Sequence, residues 1–226
     1  ATLAALCQRA TGGSSSAQAR TAAAEYYVAL VESLMESAGM LGPADPLAGE
    51  RVEEAEAVLA TEGKALRDAG VVDDIRNGRL RSGILRLQAL KLMGPGAVAG
   101  RSDAAQTLRK ALRARRPCVR LGLEDHVAQA ALHTMQATVL MEVGGGSASA
   151  HADHALRHAA AAAGVAHRTQ ADRKARSQAA DELTFYAGKL GAARLARSCE
   201  HMQSHAKCLL DGRLPATPST TPQRGS

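Results

Sequence analysis

Apolar residues in this chain recur at three- and four-residue spacing and never alternate over strand length, which restricts the fold to packed helices. The clearest instance runs from His126 to Ala163. Ala128, Ala131, Leu132, Met135, Thr138 and Val139 share one helical face, with His126, Gln129, His133 and Gln136 as a polar stripe at similar spacing. After the glycines 144–146, Ala148, Ala152, Ala155, Leu156, Ala159 and Ala163 line a second face, with His151, His154 and His158 alongside and Ser147 placed to cap. Two such segments joined by a few residues predict an antiparallel hairpin.

The core that such helices can build is set by their side chains. Aromatics make up only 2% of the 226 residues, with no Trp, one Phe and three Tyr, so packing falls to Leu, Val, Met and Ala. Small side chains bury little area each but let helices approach closely, so stability comes from many shallow contacts. A compact α/β enzyme is a poor match, since β-branched and aromatic runs of strand length are absent. Cys7, Cys118, Cys199 and Cys208 are scattered, as expected of reduced structural thiols. No apolar run approaches the roughly 20 residues that span a bilayer, so the expectation is a soluble intracellular protein, cytoplasmic or nuclear. The acid-free stretch before Glu25 is also compatible with an organellar transit peptide, and the missing initial Met with a fragment of a longer protein.

Residues 1–16 read as a flexible segment or partial helix, 17–212 as a helical-repeat domain, and 213–226 as a disordered Pro/Ser/Thr-rich tail. Eight helices are predicted. The first spans about Ala17–Gly39, with Tyr27, Leu30, Val31, Leu34, Ala38 and Leu41 on one face, and Gly42-Pro43 ends it. The second opens at Asp45-Pro46, a cap followed by proline at the first helical position, and stops at Gly70. The third covers Asp73–Met93, with Gly78 and Gly83 predicting a kink or break near Asn77. The fourth starts at Ser102-Asp103, with Ala104, Leu108, Ala111 and Leu112 inward. The hairpin above supplies the fifth and sixth, and Gln170–Gly188 and Ala192–Leu210 the last two.

A rhythm accompanies these helices. Leu34 to Gly39, Leu90 to Gly94, Leu140 to Gly144 and Phe185 to Gly188 each read as a helix end closed by glycine, at intervals of 55, 50 and 44 residues. About four antiparallel αα-hairpins account for it. Val139-Leu140-Met141-Glu142-Val143-Gly144, then Ala148, then Ala155-Leu156 resemble the tetratricopeptide-repeat pattern, and Phe185-Tyr186-Ala187-Gly188-Lys189-Leu190 with Ala193 matches it in part. The intervals are longer than that family's and the first-helix Trp is missing, so the chain is most similar to the long, degenerate repeats of large assembly subunits. The resemblance implies an all-α, TPR-like α-solenoid that holds other proteins.

Charge is segregated. Residues 45–74 hold nine acidic and three basic side chains, net −6, whereas 75–120 hold twelve basic and one acidic, net +11. Arg109, Lys110, Arg113, Arg116 and Arg120 form a candidate basic stripe, suited to an acidic peptide segment or to phosphates. Glu53, Glu54 and Glu56 on the preceding acidic helix offer partial neutralisation instead. Single-stranded nucleic acid is the weaker expectation, because no aromatic is interleaved with the stripe. All eight histidines lie between His126 and His205, including the i, i+4 pairs His154/His158 and His201/His205. A zinc site is conceivable from them, but the reading preferred is exposed polar positions on helices whose apolar faces point elsewhere, with no metal and no cofactor. No phosphate loop, GxSxG elbow or HExxH motif occurs. The expectation is a non-catalytic protein-protein interaction scaffold, a subunit or fragment of a larger assembly, with nucleic-acid or phosphate binding through residues 76–120 as the alternative.

Overall fold

The computed structural model describes residues 5, 8, 10, 16–94, 100–115 and 122–215; the proposed tail beyond 215, most of the first 15 residues, Arg116, Arg120, Cys7 and Cys118 lie outside them. Among the described residues the chain is helical throughout, with no strand. Among the described residues from 17 onward, eight helices follow one another. They are α1 (Ala17–Leu41), α2 (Pro46–Val58, continuing through a π-helical turn Leu59–Gly63 into Lys64–Asp68), α3 (Asp74–Leu92), α4 (Arg101–Ala114), α5 (Leu123–Glu142), α6 (Ala148–Arg168), α7 (Arg173–Ala192) and α8 (Ala196–Asp211). No helix among the described residues is long and apolar enough to cross a membrane.

The starts follow from side-chain caps. Ser16, Asp45, Asp73 and Asp172 accept hydrogen bonds from the backbone N–H of Ala19, Leu47, Arg76 and Ala175, and Pro46 occupies the first turn of α2. Ser147 stands at the start of α6 but its hydroxyl makes no capping bond. Nor does α4 begin at Ser102: it starts at Arg101, leaving Asp103 in the first turn, where a carboxylate favours the positive end of the helix dipole.

The ends depend on left-handed residues. Gly70, Gly144, Gly212, Gln170 and Arg194 have φ between 50° and 71°. After each, the next N–H bonds back to a carbonyl in the last helical turn, as in Val71 to Leu66 (2.8 Å), Gly145 to Leu140 (2.7 Å) and Leu195 to Leu190 (2.9 Å). The glycine rhythm is therefore only partly a helix-end signal. Gly39 lies inside α1, which runs on to Gly42 at φ 82°, and Gly188 lies inside α7, whose closure is made by Arg194.

The helices fall into two compact units. The first comprises residues 1–120 with 139–146, the second residues 121–138 with 147–226. In the first, α1 pairs with α2 and α3 with α4, and α3 also touches both α1 and α2. Its core joins Tyr27, Val31, Leu34, Val52, Leu66, Leu80 and Ile84 to several alanines. Tyr27 is fully buried and donates a hydrogen bond to Asn77 Oδ1 at 2.9 Å, linking α1 to α3. Arg20 of α1 donates to the carbonyls of Ala69 (2.8 Å) and Gly70 (3.2 Å), satisfying orphan acceptors beyond α2. In the second unit α8 packs on α7 and α6, α5 meets α6 through paired histidines, and the Tyr186 hydroxyl of α7 reaches Met135 Sδ of α5 at 4.0 Å.

Glycines inside helices mark close approach. Gly78 does not kink α3, which is continuous; a Cβ there would strike the Ala114 carbonyl of α4. A Cβ on Gly83 would lie 2.8 Å from Met35 Sδ, and one on Gly63 would lie 2.8 Å from Tyr27 Cζ. Gly39 has open space around it. Gly63→Ala should therefore lower stability by about 1–3 kcal/mol through overpacking. Gly39→Ala should raise it by up to about 1 kcal/mol through helix propensity. Urea unfolding followed by circular dichroism checks both; equal effects from the two substitutions would contradict this packing.

Candidate functional site

Three neighbouring cavities on the first unit, of about 430, 400 and 440 Å³, share lining residues in sequence along α2, α3 and α4 and are together termed a groove. The first is mostly apolar, built from Ala38, Ala48, Val52, Leu87 and Leu90, with Glu53, Glu56 and Lys91 also lining it. Gly49 opens it: a Cβ there would lie 2.7 Å from Lys91 Nζ. Exposed Met40, Leu41 and Leu47 are near it in the chain. Glu56, Gln88 and Thr107 line both the first and second cavities, and Gln88 donates to Glu56 across the two helices at 2.7 Å. Arg67, Asn77, Arg81 and Lys110 line both the second and third, where Arg113 joins them.

The basic end is under-neutralised. Arg67 has long ion pairs to Asp68 (3.8 Å) and Asp74 (3.9 Å), and Lys64 pairs with Asp68 at 2.6 Å. The Lys64 ammonium, by hydrogen bonding to the Asp68 carboxylate, holds its pKa below the usual value. Arg81, Lys110 and Arg113 form no ion pair with the described residues. Glu54 pairs with Arg51 at 2.8 Å and Glu56 accepts from Gln88, and Glu56 lines the second cavity beside Lys64, Arg67, Arg81 and Lys110 without a direct ion pair to them. Buried Asn77, fixed by Tyr27, forms the polar part of the floor, and the π-helical turn contributes Leu59 and Ala60 to the wall.

The predicted basic stripe is divided. Lys110 and Arg113 face the groove, whereas Arg109 turns its Nε toward the Ala105 carbonyl of its own helix at 3.4 Å. Arg116 and Arg120 lie outside the described residues. Arg67, Arg81 and Asn77 were not among the predicted site residues. Asn77, Arg81 and Gln88 fall on one helical face, a polar row on α3 that could have been read from spacing.

The histidines differ from the preferred expectation. His126, His133, His151 and His158 are half-buried and face one another between α5 and α6, with exposed His154 beside them. His126 Nδ1 and His158 Nδ1 are 3.1 Å apart, and His133 Nδ1 and His151 Nδ1 are 2.9 Å apart. His133 stacks on His154, ring centroids 4.9 Å apart and planes 14° apart. The polar stripe of α5 points inward with them, since Gln129 and Gln136 are buried. No three His, Cys, Asp or Glu side chains among the described residues gather to hold one ion.

Burial, reinforced by the neighbouring imidazoles and Arg157, pushes His133 down to about 3 and His158 to about 4. His126 is also lowered by burial, with Asp125 opposing and Arg168 assisting. As pH falls below the ordinary value of 6.5 the unfolded chain takes up protons that the folded cluster refuses. Stability should therefore be flat above pH 7 and fall between 6.5 and 4, by up to about 1.4 kcal/mol per pH unit for each of the two residues. Thermal unfolding in EDTA-containing buffer at a series of pH values checks this. A His133→Gln/His158→Gln variant should show a flatter profile; an identical profile would contradict the assignment.

No known protein family, curated protein or solved structure matches the chain.

Proposed function

We propose that the chain is a non-catalytic interaction scaffold of helical hairpins, in the manner of the tetratricopeptide-repeat proteins it resembles, and a subunit of a larger assembly. Its first unit receives a segment of another protein that carries an apolar anchor and acidic residues. The observation that supports this is the shared lining of neighbouring cavities: the mostly apolar one at Val52 and Leu90 shares Gln88 with the next, which shares Arg81 and Lys110 with the one that Arg113 lines. A peptide side chain such as Leu fits the apolar end, and carboxylates farther along it meet cations that lack ion pairs. Among the described residues the groove lining includes no aromatic side chain on which bases would stack, which favours a protein segment over single-stranded nucleic acid.

Fluorescence anisotropy with a labelled peptide bearing two leucines followed by four glutamates tests this. Affinity should fall when salt rises from 50 to 200 mM, through screening of exposed charges. It should fall at least tenfold in an Arg81→Glu/Lys110→Glu variant and should weaken in Val52→Glu. Tighter binding of a single-stranded oligonucleotide than of the peptide, or indifference to both variants, would overturn the reading.

A further inference from the structure

The third cavity gathers positive charge that the described residues leave largely unneutralised. Arg67 at the end of α2, Arg81 on α3, and Lys110 and Arg113 on α4 line it, and Asp74 is the one carboxylate among its described lining residues. Asp74 is 78% exposed and 3.9 Å from Arg67, a pair that water and salt weaken. Glu56 lies on the adjoining cavity and accepts from Gln88. Arg81, Lys110 and Arg113 form no ion pair with the described residues, and helix packing sets them together against their mutual repulsion. Gly78 admits the Ala114 carbonyl to α3, which brings Arg81, one turn beyond Gly78, and Arg113, next to Ala114, to the same cavity. Buried Asn77 completes the wall; its Oδ1 accepts from Tyr27, which leaves the Nδ2 amide as a neutral donor.

A carboxylate neutralises only part of this lining, since it brings one charge and two oxygens, enough for one guanidinium fork. A phosphate monoester brings a charge of about −1.5 to −2 at neutral pH and three strong acceptor oxygens, so two guanidinium forks and an ammonium can engage it together. We propose that the third cavity is a phosphoryl site, and that the segment received by the groove carries a phosphorylated serine or threonine seated among Arg81, Lys110 and Arg113. This rests on the reading of the groove as the seat of a protein segment, and it makes phosphorylation of the partner the event that turns binding on. The mostly apolar first cavity, which shares Gln88 with the second, selects the source of the phosphate: it takes a peptide side chain and offers nothing to a free phosphate compound.

Fluorescence anisotropy tests it with the leucine-glutamate peptide carrying phosphoserine in place of each of its four glutamates in turn, beside a five-glutamate peptide of equal net charge. The best phosphoserine peptide should bind at least tenfold tighter than the five-glutamate one. An Arg81→Gln/Arg113→Gln variant with unchanged helicity by circular dichroism should bring the two affinities together, whereas Val52→Glu should weaken both peptides alike. If the peptides bind but phosphoserine confers no advantage over equal charge, or the advantage survives in Arg81→Gln/Arg113→Gln, the phosphoryl site is overturned and the groove as a peptide seat stands. If no peptide binds, both fall. Tighter binding of inorganic pyrophosphate than of the best phosphoserine peptide would overturn the assignment to a partner's side chain.

Discussion

The first unit depends on the seat of Tyr27. A chain with one Phe, three Tyr and no Trp has few large side chains with which to hold helices in register. Here one of them lies fully buried against Gly63 and is tied through its hydroxyl to Asn77. The ring fixes α1 over α2, where the helix has widened into a π turn, and its hydrogen bond fixes α3. Elsewhere the same shortage is met by close approach at Gly78 and Gly83 and by fully buried alanines such as Ala23 and Ala55. Helices that meet over small side chains contact each other along narrow strips, and the space beside those strips remains open. The groove is such a space, and its floor is the residue that Tyr27 holds.

The two units use the same construction for different ends. In the first, Glu54 pairs with Arg51 and Glu56 accepts from Gln88, while Arg81, Lys110 and Arg113 form no ion pair with the described residues. In the second, the inner surface between α5 and α6 is furnished with imidazoles. Each pair is satisfied by one shared proton, and the Asp125 carboxylate acts on His126 beside it.

Much of the fold was legible because helical periodicity and end signals are local. Asp45-Pro46, Asp73, Gly70, Gly144 and Gly212 all act as their sequence context implies. Gln170 and Arg194 could not be found that way, since a left-handed residue with a side chain has no distinctive signature, and Gly188 misled because a glycine inside a helix looks like one that ends it. The kink expected at Gly78 reflected propensity alone; the approach of α4 explains the glycine instead. For the sites, polarity along one helix says nothing of what stands opposite. Lys110 and Arg113 were visible as a row, but Arg67 and Arg81 join them only through the fold, and the histidines of α5 were read as solvent-facing because their partners on α6 lie 18 to 32 residues away.

The central claim is that the apolar and basic cavities of the first unit act as one binding surface. Backbone amide shifts of the isotopically labelled chain during titration with the leucine-glutamate peptide test it most directly. The account predicts that Gly49 and Val52 at one end and Arg81 and Lys110 at the other shift together along a single saturation curve. Shifts at one end only, or separate curves for the two ends, would contradict it.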